Sequence, residues 1–243
     1  MYYNFDISRR KAFLEGMRDG VPIGLGYFAV SFSLGILAKQ AGLSPFQGFL
    51  ASLLNNASAG EYAGFTLIAA CASYIEVALM TFVANARYLL MSTALSQKMS
   101  PELPVYHRLL VAFDVTDEIF AISINRPGYL NPFYSYGAFS VALPGWSVGT
   151  AIGVMAGSLL PVRLVSAFSV ALYGMFLAVV IPAARESKLI GMLIIACFGL
   201  SYLAEILPVL SDMSSGSRTL ILTVVISAIV AALFPVKEDA DEG

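Results

Sequence analysis

Charge is what this chain has least of. Only 12% of its 243 residues are Asp, Glu, Lys or Arg, while 58% are apolar; a soluble domain carries about 25% and about 45–50%. A net charge of −2 excludes the basic surface that nucleic acid requires. Histidine occurs once, as His107, and cysteine twice, as Cys71 and Cys197, at no metal-ligand spacing. No metal site is therefore expected. There is no Gly-rich phosphate loop and no H-E-x-x-H pattern, so neither nucleotide hydrolysis nor zinc chemistry is expected, and no cofactor. Long polar stretches are missing too, which leaves no room for a soluble domain. With a mean hydropathy of +0.78, the expectation is an all-α, polytopic membrane helical bundle.

A spanning helix needs about 20 mostly apolar residues. Segments of that kind run approximately over 21–38, 46–69, 71–93, 107–125, 134–158, 163–183, 188–207 and 218–235. About seven to eight transmembrane segments follow. The second, third and fourth each carry polar residues mid-run, so one or more of them is expected to be broken or re-entrant. Residues 1–20 read as a cytoplasmic N-terminal segment, with 6–19 as a short interfacial helix capped by Asp6 or Ser8. No cleavable signal peptide is expected there. Residues 21–235 then form one transport domain, and 236–243 an acidic tail. If all eight segments cross in alternation with the N-terminus inside, the inside holds Arg9, Arg10, Lys11, Arg18, Arg126, Arg185, Lys188 and Lys237. Lys39, Lys98, Arg108, Arg163 and Arg218 fall outside. That bias favours a cytoplasmic N-terminus.

Against this apolar background Glu61, Glu76, Arg87, Asp114, Asp117, Glu118 and Glu205 stand inside or at the edges of the hydrophobic segments. A charge at mid-membrane costs at least ~2.5 kcal/mol, so such groups line a solute or proton pathway or hold helices together. In the second segment small and polar residues replace bulky ones from Asn55 to Gly64. Asn56, Ser58, Gly60 and Glu61 suit a broken helix whose half-helix N-terminus faces an anionic group and whose freed carbonyls face a cation. Gly60-x-x-x-Gly64 equally suits close helix packing. In the third segment, Glu76 and Arg87 lie about 16 Å apart along a straight helix, so Arg87 needs another partner. A carboxylate of the fourth segment fits, as does a substrate carboxylate held by the guanidinium fork. Asn85 lies nearly opposite Arg87 unless the helix unwinds between them. In the fourth segment Asp114, Asp117 and Glu118 fall at i, i+3 and i+4, on one face of a continuous helix. Three carboxylates there would repel each other, and one would take up a proton. Glu61, Asp114, Asp117 and Glu118 are thus candidates for proton coupling or ion pairing.

Gly145, Gly149, Gly153 and Gly157 form a ridge at spacing four and predict close helix–helix contact. Gly145-Trp146-Ser147-Val148-Gly149 matches the nucleophile-elbow pattern, but in a membrane helix and with a single interfacial histidine it is not read as catalytic. Glu76 and Glu205 fall near segment ends. The expectation is a transporter, not an enzyme.

Four of these stretches, in order over roughly residues 15–185, resemble the AzlC family, the large subunit of bacterial branched-chain amino-acid exporters. They are Ala57-Ser58-Ala59-Gly60-Glu61-Tyr62, Asn85-Ala86-Arg87-Tyr88-Leu89-Leu90, Thr116-Asp117-Glu118 followed by Ile119-Phe120-Ala121, and Trp146 through Gly157. The resemblance implies export of hydrophobic amino acids (leucine, isoleucine, valine and methionine). It also implies a heteromer with a small AzlD-type membrane subunit. Glu61 departs from the family pattern, which usually has Gln there; the added carboxylate would shift the range towards a more polar or cationic solute or add a protonation site. A membrane scaffold without transport is the other reading the residues leave open.

Overall fold

The computed structural model describes residues 5–157 without a break, then 187–207, 215–234 and isolated positions between them. The expected sixth segment, 163–183, lies mostly outside the described residues, and so does the tail 236–243. Every regular element among the described residues is a helix: α1 Phe5–Gln40, α2 Pro45–Asn55, α3 Ser58–Ala69, α4 Tyr74–Ala84, α5 Arg87–Lys98, α6 Val105–Phe113, α7 Asp117–Ile124, α8 Pro132–Ala156, α9 Lys188–Ile206 and α10 Ser215–Leu233.

The frame is the pair α1 and α8. A Cβ added to Gly16 would lie 1.9 Å from the Tyr134 carbonyl oxygen, one on Gly145 2.6 Å from that of Gly24, and one on Gly153 2.1 Å from that of Phe32. Partner numbers rise together, so the two helices are parallel and touch backbone to backbone. The predicted ridge is this contact: Gly149 and Gly153 press on α1 as Gly145 does, while a Cβ on Gly157 would meet the Gly153 carbonyl of its own helix at 3.2 Å and, on α1, the Lys39 side chain at 3.4 Å. Gly16, Gly20, Gly24 and Gly35 on α1 form the matching row.

That row corrects one expectation. Residues 6–19 are not a separate interfacial helix but the first turns of the 36-residue α1. Gly16 and Gly20 seat this stretch on α8. Arg126 of the α7–α8 loop pairs with Glu15, and the Tyr134 hydroxyl donates to Asp19 at 2.7 Å. Pro22 sits inside the helix and removes one backbone bond, too little to break a helix so held.

Between α1 and α8 the expected second, third and fourth segments are all broken, at Asn56–Ala57, at Asn85–Ala86 and at 114–116. Their ends can be assigned against the frame. The near end has the N-termini of α1 and α8, and the far end has their C-termini. α6 begins at the near end, where His107 Nδ1 lies 2.7 Å from the Tyr136 hydroxyl. α7 returns to the same end, with Glu118 beside Tyr27 and Arg126 beside Glu15. The pair α6–α7 is thus a re-entrant hairpin. α5 also finishes at the near end, where the Lys98 carbonyl accepts the Leu130 N–H at 2.8 Å. Its axis bends by 46° from that of α4, so α4 starts towards the far end. α3 runs antiparallel to α4, with Gly60 against Asn85 and Gly64 against Thr81. α2 enters from the far end, with Gly48 against Val154 and Ser52 bonded to Thr150. The pair α2–α3 is therefore a second hairpin, inserted from the opposite end.

Three helices are long and apolar enough to cross a membrane (Arg9–Gln40, Pro132–Ala156 and Lys188–Ile206), and a fourth span results if the bent pair α4–α5 counts as one. The described residues thus give three or four crossings against the expected seven to eight segments, one or more of them broken or re-entrant; apolar length does not distinguish a crossing from a hairpin. Strict alternation is corrected as well: Lys98 and Arg108 lie at the near end beside Arg126, not across from it. α10 packs on α4, where Glu76 accepts from the Ser217 N–H at 3.0 Å and hydroxyl at 2.8 Å, a carboxylate on a helix N-terminus.

Candidate functional site

The three breaks meet. Asn56, the C-cap of α2, adopts a left-handed conformation (φ 38°, ψ 49°) that Asn tolerates better than most residues. Its amide Nδ2 donates to Asp114, the C-cap of α6. Neighbouring Asn55 accepts from Asn85 Nδ2 at 2.8 Å, and Asn85 is the C-cap of α4. Gly60 lies against that amide: a Cβ there would come 2.5 Å from Asn85 Oδ1. The tips of the two opposed hairpins thus touch, with the bend of α4–α5 beside them. Trp146, which flanks the site, lies near the middle of α8, and Thr150 about one turn further towards its C-terminus.

The site has an enclosed side and an open side. On the enclosed side Glu61, in the first turn of α3, accepts from the Trp146 indole N–H at 2.5 Å and the Ala57 N–H at 3.4 Å, and its Oε2 lies 2.6 Å from Ser52 Oγ. Ser52 Oγ is also 2.7 Å from Thr150 Oγ1. Glu61 therefore ties α2, α3 and α8 together, each oxygen held by donors. On the open side Arg87, the first residue of α5, pairs with Asp117 at 2.7 Å. Tyr27 of α1 places its hydroxyl 2.5 Å from Thr116 Oγ1 and 2.6 Å from Glu118 Oε2. The Thr116 hydroxyl, 3.3 Å from the Ile119 N–H, caps α7. Ser58 opens α3, partly exposed.

Arg87 thus meets a carboxylate of the fourth segment, as the spacing argument requires. The expectation that Asp114, Asp117 and Glu118 share one helical face is overturned. The helix ends at Phe113 and restarts at Asp117, and the three acids go to Asn56, Arg87 and Tyr27. Unwinding separates Asp114 from the other two, which stay adjacent in the first turn of α7, and gives each acid its own partner. Asn85 and Arg87 come to the same junction for the same reason. Ser147 donates to the Leu143 carbonyl at 2.9 Å inside α8 and has no elbow geometry. Glu205 is exposed in the last turn of α9.

Sequence reasoning missed Tyr27, Ser52 and Thr150 as partners. Each is a hydroxyl in an otherwise apolar or small-residue run, a signal too common in membrane helices to single out.

The model of the AzlC family, described as AzlC protein, matches residues 22–160, which take in most of α1, all three breaks and α8. An uncharacterised membrane protein of Archaeoglobus fulgidus is 32% identical over 178 residues, 72% of this chain and 78% of the relative. Inner membrane protein YgaZ of Escherichia coli is 30% identical over 150 residues, 60% of this chain and 61% of that protein. A membrane protein of Helicobacter pylori is 25% identical over 162 residues, and this chain spans 65% of its length. No solved structure matches. On the family match and the archaeal relative together, the chain is a membrane protein of the AzlC family.

Proposed function

We propose that the chain is the large subunit of a secondary exporter for branched-chain amino acids and methionine. It would act in a bacterial plasma membrane with a small AzlD-type partner, and it would be a transporter, not an enzyme. The observation that carries this reading is the meeting of two hairpins, inserted from opposite ends, beside the accessible ion pair Arg87–Asp117. A solute bound there can be reached from either side by moving one hairpin against the α1–α8 frame. Arg87 stands at the N-terminus of α5, where guanidinium and helix dipole both favour a carboxylate. Asp117 and a substrate carboxylate compete for that guanidinium. A proton on Asp117 releases Arg87 to the substrate, and substrate departure returns Arg87 to Asp117 as the proton leaves. Tyr27 and Glu118 flank the exchange. Apolar walls choose the side chain, and a methylene is worth only ~1–3 kcal/mol, so leucine, valine and methionine are poorly separated.

The three donors on Glu61 favour a structural role for that residue over a shift to cationic solutes. Orientation follows from the recount at the near end. It gathers Arg9, Arg10, Lys11, Arg18, Lys98, Arg108 and Arg126, while Lys39 and Arg218 stand at the far end. Among the cations these contacts place, that bias supports a cytoplasmic N-terminus.

The test is efflux of labelled leucine from preloaded cells, with and without the small partner, beside Arg87→Ala. Saturable efflux that needs the partner and falls at least tenfold in the variant is expected. Unchanged leucine, valine and methionine retention with both subunits in the membrane would refute the assignment and favour the scaffold reading.

A further inference from the structure

Three helices end at the junction. The C-caps of α2, α4 and α6 are Asn56, Asn85 and Asp114, brought together by the Asn56–Asp114 and Asn85–Asn55 bonds. A helix C-terminus carries about half a negative charge and an N-terminus about half a positive one; the same breaks also start α3, α5 and α7, so the dipoles offset and the Asp114 carboxylate supplies the negative charge among the three caps. Each C-cap side chain also keeps one oxygen without a hydrogen-bond partner: Asn56 Oδ1, Asn85 Oδ1 and Asp114 Oδ2. Asn56 is 6% exposed and Asp114 1%. A buried acceptor without a donor costs about 1–3 kcal/mol, and here three such acceptors fall at one junction. All three lack a donor, and a cation that takes oxygen lone pairs meets that need at once. Glu61, on the same junction, is the contrast: its oxygens are held by indole, amide and hydroxyl groups. Gly60 keeps the Asn85 amide in place, because any Cβ would displace it.

We propose that the converging ends of α2, α4 and α6 form a binding site for a monovalent cation, held by Asp114 Oδ2 with the Asn56 and Asn85 side-chain oxygens. Neutral oxygens and a single carboxylate match one positive charge. A divalent ion would leave charge uncompensated where the dielectric is low. Two sources share this chemistry: a sodium ion, and the primary ammonium group of an amino-acid solute whose carboxylate lies towards Arg87. The second source rests on the exporter reading; the site itself does not.

The test is thermal unfolding of the full chain in detergent micelles at constant ionic strength. Choline chloride is replaced stepwise by sodium chloride in one arm and by leucinamide hydrochloride in the other. Leucinamide carries the ammonium group without a carboxylate. A saturable rise of a few degrees is expected in one arm, and the arm that responds identifies the source. Asp114→Asn, which keeps shape and removes charge, should raise the half-saturating concentration at least tenfold with an unchanged midpoint in choline. Asn56→Gly removes one oxygen while easing the left-handed backbone, so it should fold even if Asp114→Asn does not, and should weaken the response likewise. No response to either cation, a midpoint governed by pH alone, or variants that respond as the parent does would overturn the site. Loss of leucine efflux with this response intact would refute the exporter reading and leave the site standing.

Discussion

The α1–α8 frame and the junction beside it solve opposite problems. In the frame, backbone meets backbone through glycines, and the bonding capacity of each helix is satisfied internally. In the junction, three helices are interrupted, side chains replace the lost backbone order, and some acceptors keep unused capacity. The frame tolerates no added atoms; the junction tolerates altered chemistry so long as shape is kept. A membrane protein built this way separates rigidity from function along the chain. α1 and α8 hold position, while 45–124 supplies the interruptions.

The comparison breaks hardest on the frame. Gly153→Val places its side chain into the Phe32 carbonyl, 2.1 Å from the first added carbon, and must push α1 off α8. Overpacking costs about 1–3 kcal/mol or more. The expected outcome is loss of monodisperse protein on size exclusion, whereas Gly26→Ala on the same helix, with nothing within 4 Å, should gain up to ~1 kcal/mol in helix propensity. Equal behaviour of the two would mean the frame is not close-packed.

The junction should respond in function before stability. The side chains of Arg87 and Asp117 are 42% and 51% exposed, so their pairing is worth less than ~1 kcal/mol. Arg87→Ala should therefore lower the unfolding midpoint little while efflux collapses; a parallel loss of both would move the pair into the frame's category. Tyr27→Phe sits between the two regions. It removes the hydroxyl shared by Thr116 and Glu118 and should cost about 1–2 kcal/mol, read as a lower midpoint with partial efflux. The smallest effect is expected for Glu76→Gln. It keeps an acceptor for Ser217 but removes the charge at the α10 N-terminus, a loss of about 0.3–1 kcal/mol, measurable as a slightly lower unfolding midpoint.

The sequence was legible where composition contradicts its surroundings. Asn55–Gly64, Asn85–Arg87 and Asp114–Glu118 are polar where apolar residues are the rule, and all three stretches hold breaks. The glycine ridge of α8 announced a contact, and Arg87 announced the need for a carboxylate. Less could be read where two structures share one hydropathy profile. Residues 107–125 are apolar enough to cross, and only the partners of His107 and Arg126 reveal that the chain turns back. The charged stretch 6–19 reads as an interface because its glycines gain meaning only from Tyr134 and Ala138 opposite. The shared face of Asp114, Asp117 and Glu118 was an inference from helical periodicity, and it failed where the helix stops.

The parallel pairing of α1 and α8 also sets an order of events at the ribosome. About ninety residues separate the end of α1 from the start of α8. At about 5–20 residues per second, the glycine row of α1 waits roughly 5–20 s for its partner. During that interval both hairpins have been made, and neither has the groove against which it is finally seated. The polar tips must enter the bilayer after α8 arrives or be sheltered until it does, so the middle of this chain is seated out of the order in which it is made.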